Sequence, residues 1–293
     1  MNVGPESTQV AKANVAAVIV NWRQSHRTIE AAHALTRQTV RPAVVVVDNG
    51  SGDDSVSQLR AALPGAVLVV RDTNGGFSAG CNAGIERAFS MGVDYVWLIN
   101  NDAMPDEHCL EHLLARASSD PGIGVVGACI REPKGAVVDH AGCVMNPFSF
   151  NCRYTLSESE IAKSRYAWIT GASMLLSTAA IMKVGLFDVG YFMYWEDADL
   201  CHRLRRAGFK MAISEHALVE HEAGTSSNNM RLSRYQWHID SQLRWVVRNY
   251  SNVVYGVFLV YSRHFIKSIQ VCDWSRFSMT VKSLKKFIAS NKF

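Results

Sequence analysis

The sequence predicts an α/β fold: a mostly parallel central sheet flanked by helices, with a C-terminal extension that is helical alone. Three observations predict it. Between residues 15 and 105, short runs that are apolar along their whole length alternate with helical stretches, the pattern of strands covered on both faces. These runs end in clusters of Asn, Asp, Gly and Ser. Hydrophobic residues make up 48% of the 293 and charged residues only 19%, which provides a core and excludes a disordered chain.

The elements follow in order. MNVGPESTQVAKAN, residues 1–14, has no apolar h-region, so no secretory signal is read. A loosely attached or disordered N-terminus and a cytoplasmic location are expected. Val15–Asn21 (VAAVIVN) is the first strand and Ser25–Arg37 the first helix. Ala43–Val47 is the second strand, closed by Asp48. Asp53–Leu63 is a helix stopped by Pro64-Gly65, and Ala66–Arg71 the third strand. Ser78–Ser90 is the third helix, and Val93–Ile99 (VDYVWLI) the fourth strand. Right-handed crossovers then leave few topologies. Gly122–Ile130 reads as another strand, residues 131–165 as polar and irregular, and Tyr166–Ser177 as one strand-like segment. Glu196–Ala207 is a helix with Leu200, Leu204 and Ala207 on one face and Gly208 past its end. Ala217–Glu220 is a short strand, and the chain is helical from Met230 onward.

Seven cysteines, an odd number without a CxxC pair, argue against a disulfide framework or a zinc cluster and for buried free thiols. The net charge of +4 is uneven. From Arg263 onward seven basic residues stand against one acid, Asp273, a balance of +6, so residues 1–262 carry −2. Such a tail suits an anionic membrane surface or nucleic acid.

Four polar clusters follow strand ends: Asn21-Trp22, Asp48-Asn49-Gly50-Ser51, Asn74-Gly75-Gly76 and Asn100-Asn101-Asp102. Ligands of open α/β sheets bind at that edge. The same residue types also make turns, but four clusters on one edge exceed what turns require. An ionised Asp48 can accept the imide N–H of uracil or thymine. Ser51 and Asp53 also suit a helix cap. The run from Asn74 to Gly84 is glycine-rich and opens a helix, but has neither a Walker lysine nor GxGxxG spacing. Its small residues allow a nucleotide to approach the backbone, and Asn74 and Asn82 can hold polar groups. Asp102 in LINNDAMP can bind Mg²⁺ or Mn²⁺, which neutralises a diphosphate leaving group, or can serve as a cap before Pro105-Asp106. In YFMYWEDAD, Glu196, Asp197 and Asp199 crowd one helical turn, more carboxylates than the helix dipole requires. One can act as a general base, its pKa raised by the aromatics around it. His221 in VEHEAGTSS can complete a metal site.

Together VAAVIVNW, VVVVDNGSGDDS, NGGFSAGCNAGI, YVWLINNDAMP, WITGASMLL, GLFDVGYFMYWEDADLCHRLRRAGF and VEHEAGTSS resemble, in order, the family 2 glycosyltransferases. The branch they look like contains rhamnosyltransferases and galactofuranosyltransferases of bacterial polysaccharide assembly. The resemblance covers roughly residues 15–250 and implies a GT-A fold. It implies a catalytic domain over 15–229, its nucleotide-binding half about 15–105 and its acceptor half about 106–229, then a basic extension over 230–293. It further implies an inverting, single-displacement transfer from a dTDP- or UDP-linked sugar, rhamnose preferred, to a glycan or lipid-linked acceptor. On this resemblance Asn21, Asp48, Asn49, Ser51, Asn74, Gly75, Gly76, Asn82, Asn101 and Asp102 line the donor. Asp102 and His221 hold the metal, Asp197 is the base, and Trp195 and Glu196 meet the acceptor. Two departures stand out. The metal motif carries a single aspartate, and Gln242-Leu243-Arg244-Trp245 lacks the QxxRW spacing of processive members. A non-catalytic nucleotide-sugar-binding subunit is the alternative, and nucleotidyl transfer is disfavoured because no basic residue stands in an early glycine-rich loop.

Val253–Tyr261 is too short to span a bilayer. Phe277, Val281, Leu284 and Ile288 share a helical face with Lys282, Lys285 and Lys286 off it. Either this stripe lies in a membrane interface or it packs on the domain. Peripheral binding at the inner face of the cytoplasmic membrane is the expectation; nucleic acid is not expected.

Overall fold

The computed structural model describes residues 13–131, 139–221 and 231–290. The segment expected to be loose therefore lies almost wholly outside the described residues, as does the part of VEHEAGTSS beyond His221. The first half alternates as expected: β1 (Val15–Asn21), α1 (Ser25–Thr36), β2 (Ala43–Asp48), α2 (Ser55–Ala62), β3 (Val67–Val70), α3 (Phe77–Phe89) and β4 (Tyr95–Ile99). There follow β5 (Ala103–Pro105), α4 (Cys109–Ser118), β6 (Ile123–Arg131), β7 (Gly142–Met145), β8 (Cys152–Thr155) and α5 (Glu158–Lys163). Then come β9 (Ala167–Ile169), β10 (Ser173–Ser177), α6 (Thr178–Val184), α7 (Glu196–Arg206), β11 (Lys210–His221), α8 (Arg231–Asn249), α9 (Val253–Gln270) and α10 (Trp274–Ser290).

The large sheet has the order β3-β2-β1-β4-β10-β6-β11-β5. Its strands run parallel except β10, which opposes β4 and β6, and the edge strand β5. Alternation along each strand divides the core in two. Ala17, Ile19, Val46 and Trp97 face α1, α2 and α4 through Leu35, Leu59 and Leu113. Ala16, Val18, Val47 and Leu98 face α3, α7 and α8 through Ile85, Leu200 and Val246. Helix α3 lies flush on β1: a Cβ on Gly84 would stand 2.2 Å from Val18 Cγ1, and one on Gly80 2.7 Å from Val20 Cγ1. The GxxxG spacing thus serves helix–strand packing.

Two expectations are corrected. Residues 131–165 are not irregular: they hold β7, β8 and α5, and β8-β7-β9 form a second, antiparallel sheet. Tyr166–Ser177 is not one strand. It breaks at Thr170-Gly171-Ala172, placing β9 in the small sheet and β10 in the large one. Both pieces are apolar because each is buried, so hydropathy alone does not show the break. The short strand at 217–220 is the end of β11, which runs twelve residues and has a register shift between Ser214 and Leu218.

The C-terminal helices pack on one another and on the domain. Trp245 of α8 is fully buried against Trp195, 5.4 Å between ring centres. The line of α10 that faces inward is Thr280 and Ser283 with Leu284 and Phe287; Tyr235 and Tyr261 meet the two hydroxyls. The expected 277/281/284/288 stripe is therefore rotated: Leu284 packs inward and Ile288 is exposed.

Candidate active site

Parallel register brings the strand ends together. Asn21 pairs with Asp48 across β1 and β2. Asp48 is only 1% exposed. Its Oδ1 accepts from Asn21 Nδ2 at 2.8 Å and Ser51 Oγ at 2.5 Å, and its Oδ2 from Ser51 N at 3.1 Å. Asn21 Oδ1 in turn accepts from Thr28. Asn21 and Ser51 thus brace Asp48, and Oδ2 keeps acceptor capacity. Asn49 is also buried; its Nδ2 donates to Asn74 Oδ1 at 3.1 Å and Gly76 O at 2.9 Å. Asn74 Oδ1 accepts the Gly76 N–H as well, which folds the loop back on itself.

Gly76 takes φ +87°, ψ 173°, a conformation essentially reserved for glycine. A Cβ there would fall 2.3 Å from Phe192 O. The next residue, Phe77, donates its N–H to that same carbonyl at 2.7 Å. Asn82 donates through Nδ2 to Phe187 O at 2.8 Å and accepts from Phe187 N at 3.0 Å. Both ends of its amide therefore stitch α3 to the loop before α7; that is where the structure places a residue expected at the donor. Arg71, which sequence reasoning passed over, reaches in from the end of β3. Its guanidinium donates to Asn49 Oδ1 and would meet a Cβ on Gly75 at 2.8 Å. It sets a permanent positive charge beside the glycine loop. Its signal was its place at the end of the third strand, three residues before Asn74.

At the end of β4, Asp102 Oδ1 lies 3.1 Å from His221 Nε2, delivered by the end of β11, and Asn100 Nδ2 lies 3.3 Å from the same nitrogen. Both partners of the Asp–His pair are largely buried. Asn100 Oδ1 is buried with no hydrogen-bond partner among the described residues. A hard divalent cation takes such oxygens, and one or two protein ligands suffice where phosphates supply others. Among the described residues no group of three His, Cys, Asp or Glu side chains gathers. The donor set thus fits an ion shared with a diphosphate, and Nε2 must then present its lone pair rather than a proton. Asn101 turns away, its Nδ2 3.3 Å from Gln24 Oε1 and Thr28 Oγ1.

The acidic turn starts with two left-handed residues, Tyr194 (φ 71°) and Trp195 (φ 66°), a strained approach of the kind found where a side chain must be aimed. Trp195 is 6% exposed and packs against Trp168 and Trp245, so it backs the turn from the core. Phe192 and Tyr194 are the half-buried aromatics of the segment. Glu196 is buried with Oε2 unpartnered among the described residues, and burial, with Asp197 beside it, drives its pKa well above the usual carboxylate range. Asp199 is committed to structure: it accepts from Arg203 Nε at 2.8 Å, Asn249 Nδ2 and Tyr191 OH. Asp197 is half-buried. Its Oδ2 accepts from Gly171 N at 3.0 Å and its Oδ1 from Ala198 N at 2.8 Å. Burial pushes its pKa up to about 6, against the pull of those N–H donors.

Gly171 closes the circuit. It sits in the break between β9 and β10, and Asn100 N donates to the adjacent Ala172 O at 3.0 Å. Ile99 pairs with Ser173 across β4 and β10. The Asn100–Asp102 turn and Asp197 are thus held on either side of one short peptide.

Residues 13–247 match the family described as Glycosyltransferase like family 2. The chain belongs to that family. Two of its curated relatives come from Mycobacterium tuberculosis. An N-acetylglucosaminyl-diphospho-decaprenol L-rhamnosyltransferase is 30% identical over 229 residues, covering 70% of this chain and 75% of the relative. Galactofuranosyltransferase GlfT1 is 29% identical over 219 residues, covering 72% and 71%. A solved structure of mannosyltransferase PcManGT from Pyrobaculum calidifontis, in complex with GDP-Man and Mn²⁺, superposes with TM-score 0.59 at 15% identity, covering all of this chain and 79% of that one. The family 2 transferase thus has the GT-A fold expected of it, with helices at its C-terminus.

Proposed function

We propose that this transferase moves a sugar, by preference rhamnose from dTDP-rhamnose, to a hydroxyl of a glycan or lipid-linked glycan with inversion. The observation that carries the reading is the Asn100–Ala172–Gly171–Asp197 connection, which sets an Asp–His pair suited to a metal beside a carboxylate poised near neutral pH. The M. tuberculosis rhamnosyltransferase, whose name specifies a diphospho-decaprenol acceptor, supports rhamnose and a lipid carrier.

Asp48 accepts the pyrimidine N–H. Asn74, Gly75 and Gly76 receive the donor along the backbone, with Arg71 offering positive charge to its phosphates. Asp102 and His221, with Asn100 Oδ1, would hold Mg²⁺ or Mn²⁺, which when bound stabilises the developing charge of the leaving diphosphate. Asp197 takes the proton of the acceptor hydroxyl as that oxygen forms its bond to the anomeric carbon and the bond to the nucleoside diphosphate breaks. A base with a pKa near 6 is ionised at neutral pH and still basic enough to accept a proton. Glu196, held neutral beneath it, leaves the local negative charge on Asp197.

Thermal shift with UDP- and dTDP-sugars, with and without Mg²⁺ or Mn²⁺, tests the reading, since ligands of the native state raise its stability. The expected result is metal-dependent stabilisation, largest with dTDP-rhamnose, and release of dTDP when an acceptor is present. Asp102→Asn and His221→Ala should abolish the metal-dependent part. Binding without nucleoside diphosphate release would favour a non-catalytic subunit, and pyrophosphate release would favour nucleotidyl transfer.

A further inference from the structure

Most of the exposed large apolar side chains of the described residues stand on α8, α9 and α10, although those helices are a small part of the chain. They are concentrated on α9. At 100° per residue Val254, Tyr255, Phe258, Ile266 and Ile269 fall within an arc of about 120°, and each is exposed, Phe258 by 64%. The opposite arc, Gly256, Val260, His264 and Ser268, is buried against the bundle. Val254 to Ile269 makes a ridge about 22 Å long at 1.5 Å per residue. It continues at both ends. Beside its start lies Phe148, 74% exposed, in a loop pinned by Tyr255 OH to Phe148 O at 3.3 Å and Tyr250 OH to Pro147 O at 2.5 Å. Past its end stand Val271 and Trp274, the latter 70% exposed.

An exposed apolar ridge of this extent on a soluble fold marks a contact surface. We propose that the outer face of α9, with Phe148 and Trp274 at its two ends, docks on an anionic lipid bilayer. Charge selects this occupant: Ser251 to Ser290 carry six basic residues and one acid, and Lys282 and Lys285 of the neighbouring α10 are exposed. The ends of the ridge carry Tyr255 and Trp274, amphipathic rings that settle at the level of lipid headgroups. Among the described residues no helix is long and apolar enough to cross a membrane, so the ridge lies along the surface. This face differs from the α10 stripe that the sequence suggests, because α10 spends part of that stripe on the bundle. The choice of a bilayer rests in part on the lipid-linked acceptor proposed above.

Co-sedimentation with vesicles of phosphatidylcholine, alone and mixed with phosphatidylglycerol, tests the surface at low and high salt. The full chain should bind the mixed vesicles, and binding should weaken with salt. Phe258→Asp and Trp274→Asp should each cut binding about ten-fold or more, since each puts a charge where the bilayer would cover an apolar ring. Both positions are exposed, so thermal midpoint and turnover on a short soluble acceptor should stay unchanged. Wild-type protein that ignores the mixed vesicles at low salt, or variants that bind as well as wild type, would overturn the proposal. So would a dimer of the wild type that Phe258→Asp converts to monomer while vesicles make no difference, which would assign the face to a second copy. Turnover on the soluble acceptor separates the two readings. Vesicle binding without any sugar transfer leaves the surface and removes the reaction; transfer without vesicle binding does the reverse.

Discussion

Replacing Asp197 by asparagine removes the charge and keeps the shape, and the structure requires activity and stability to move in opposite directions. In the unfolded chain this carboxyl titrates near 3.8, and in the fold near 6, chiefly because burial disfavours the ion. Between those values the native state holds a proton that the unfolded state has lost. The penalty is therefore absent below pH 3.8, grows through the window and is complete above pH 6. Its size follows from 1.36 kcal/mol per pKa unit, at most about 3 kcal/mol. That net value already includes the pull of the Gly171 and Ala198 N–H groups on the ionised carboxylate. Asp197→Asn should therefore be more stable than wild type by up to about 3 kcal/mol at pH 8 and by less than about 1 kcal/mol near pH 4. Urea unfolding at the two pH values measures this. The same variant should bind nucleotide normally and lose nearly all turnover, and wild-type kcat/KM should rise with pH on a limb near pH 6, shared with Glu196 as a coupled pair. A variant that keeps turnover would move the base to Glu196. One that is destabilised at pH 8 would show that the charge serves the fold and that the desolvation argument is wrong.

Two more substitutions test the frame of the site. Gly76→Ala forces a side chain into a glycine-only conformation and onto Phe192 O, so it should cost about 1–3 kcal/mol by thermal or urea unfolding and raise the donor KM more than it lowers kcat. Asp199→Ala leaves Arg203 without its buried carboxylate and should cost about 3–5 kcal/mol, with turnover per folded molecule largely kept; active fraction measured by nucleotide binding gives the correction.

The sequence by itself determined the alternation of β1 to β4 with α1 to α3, because a strand buried on both faces must be apolar throughout and a polar cluster must follow where it surfaces. It also offered Asp102, Asp197 and His221 as candidates, since the proposed metal binding and proton transfer need those groups. Tertiary structure decided what each polar side chain touches. Asn82 and Trp195 read as ligand contacts because amides and indoles can be either ligand contacts or braces; only their neighbours, the Phe187 backbone and the Trp168–Trp245 stack, separate the two. Gly171 lay inside WITGASMLL without a role assigned to it and Arg71 outside every motif, yet the break before β10 and the end of β3 bring one to the proposed base, Asp197, and the other to the glycine loop. The break was hidden because Thr170-Gly171-Ala172 is short and both flanking pieces, β9 and β10, are buried and apolar, so the whole reads as one segment. Asp102 and His221 stand 119 residues apart in the sequence and 3.1 Å apart in space. That closeness follows from the pairing of β11 with β5, a long-range register that local composition does not encode.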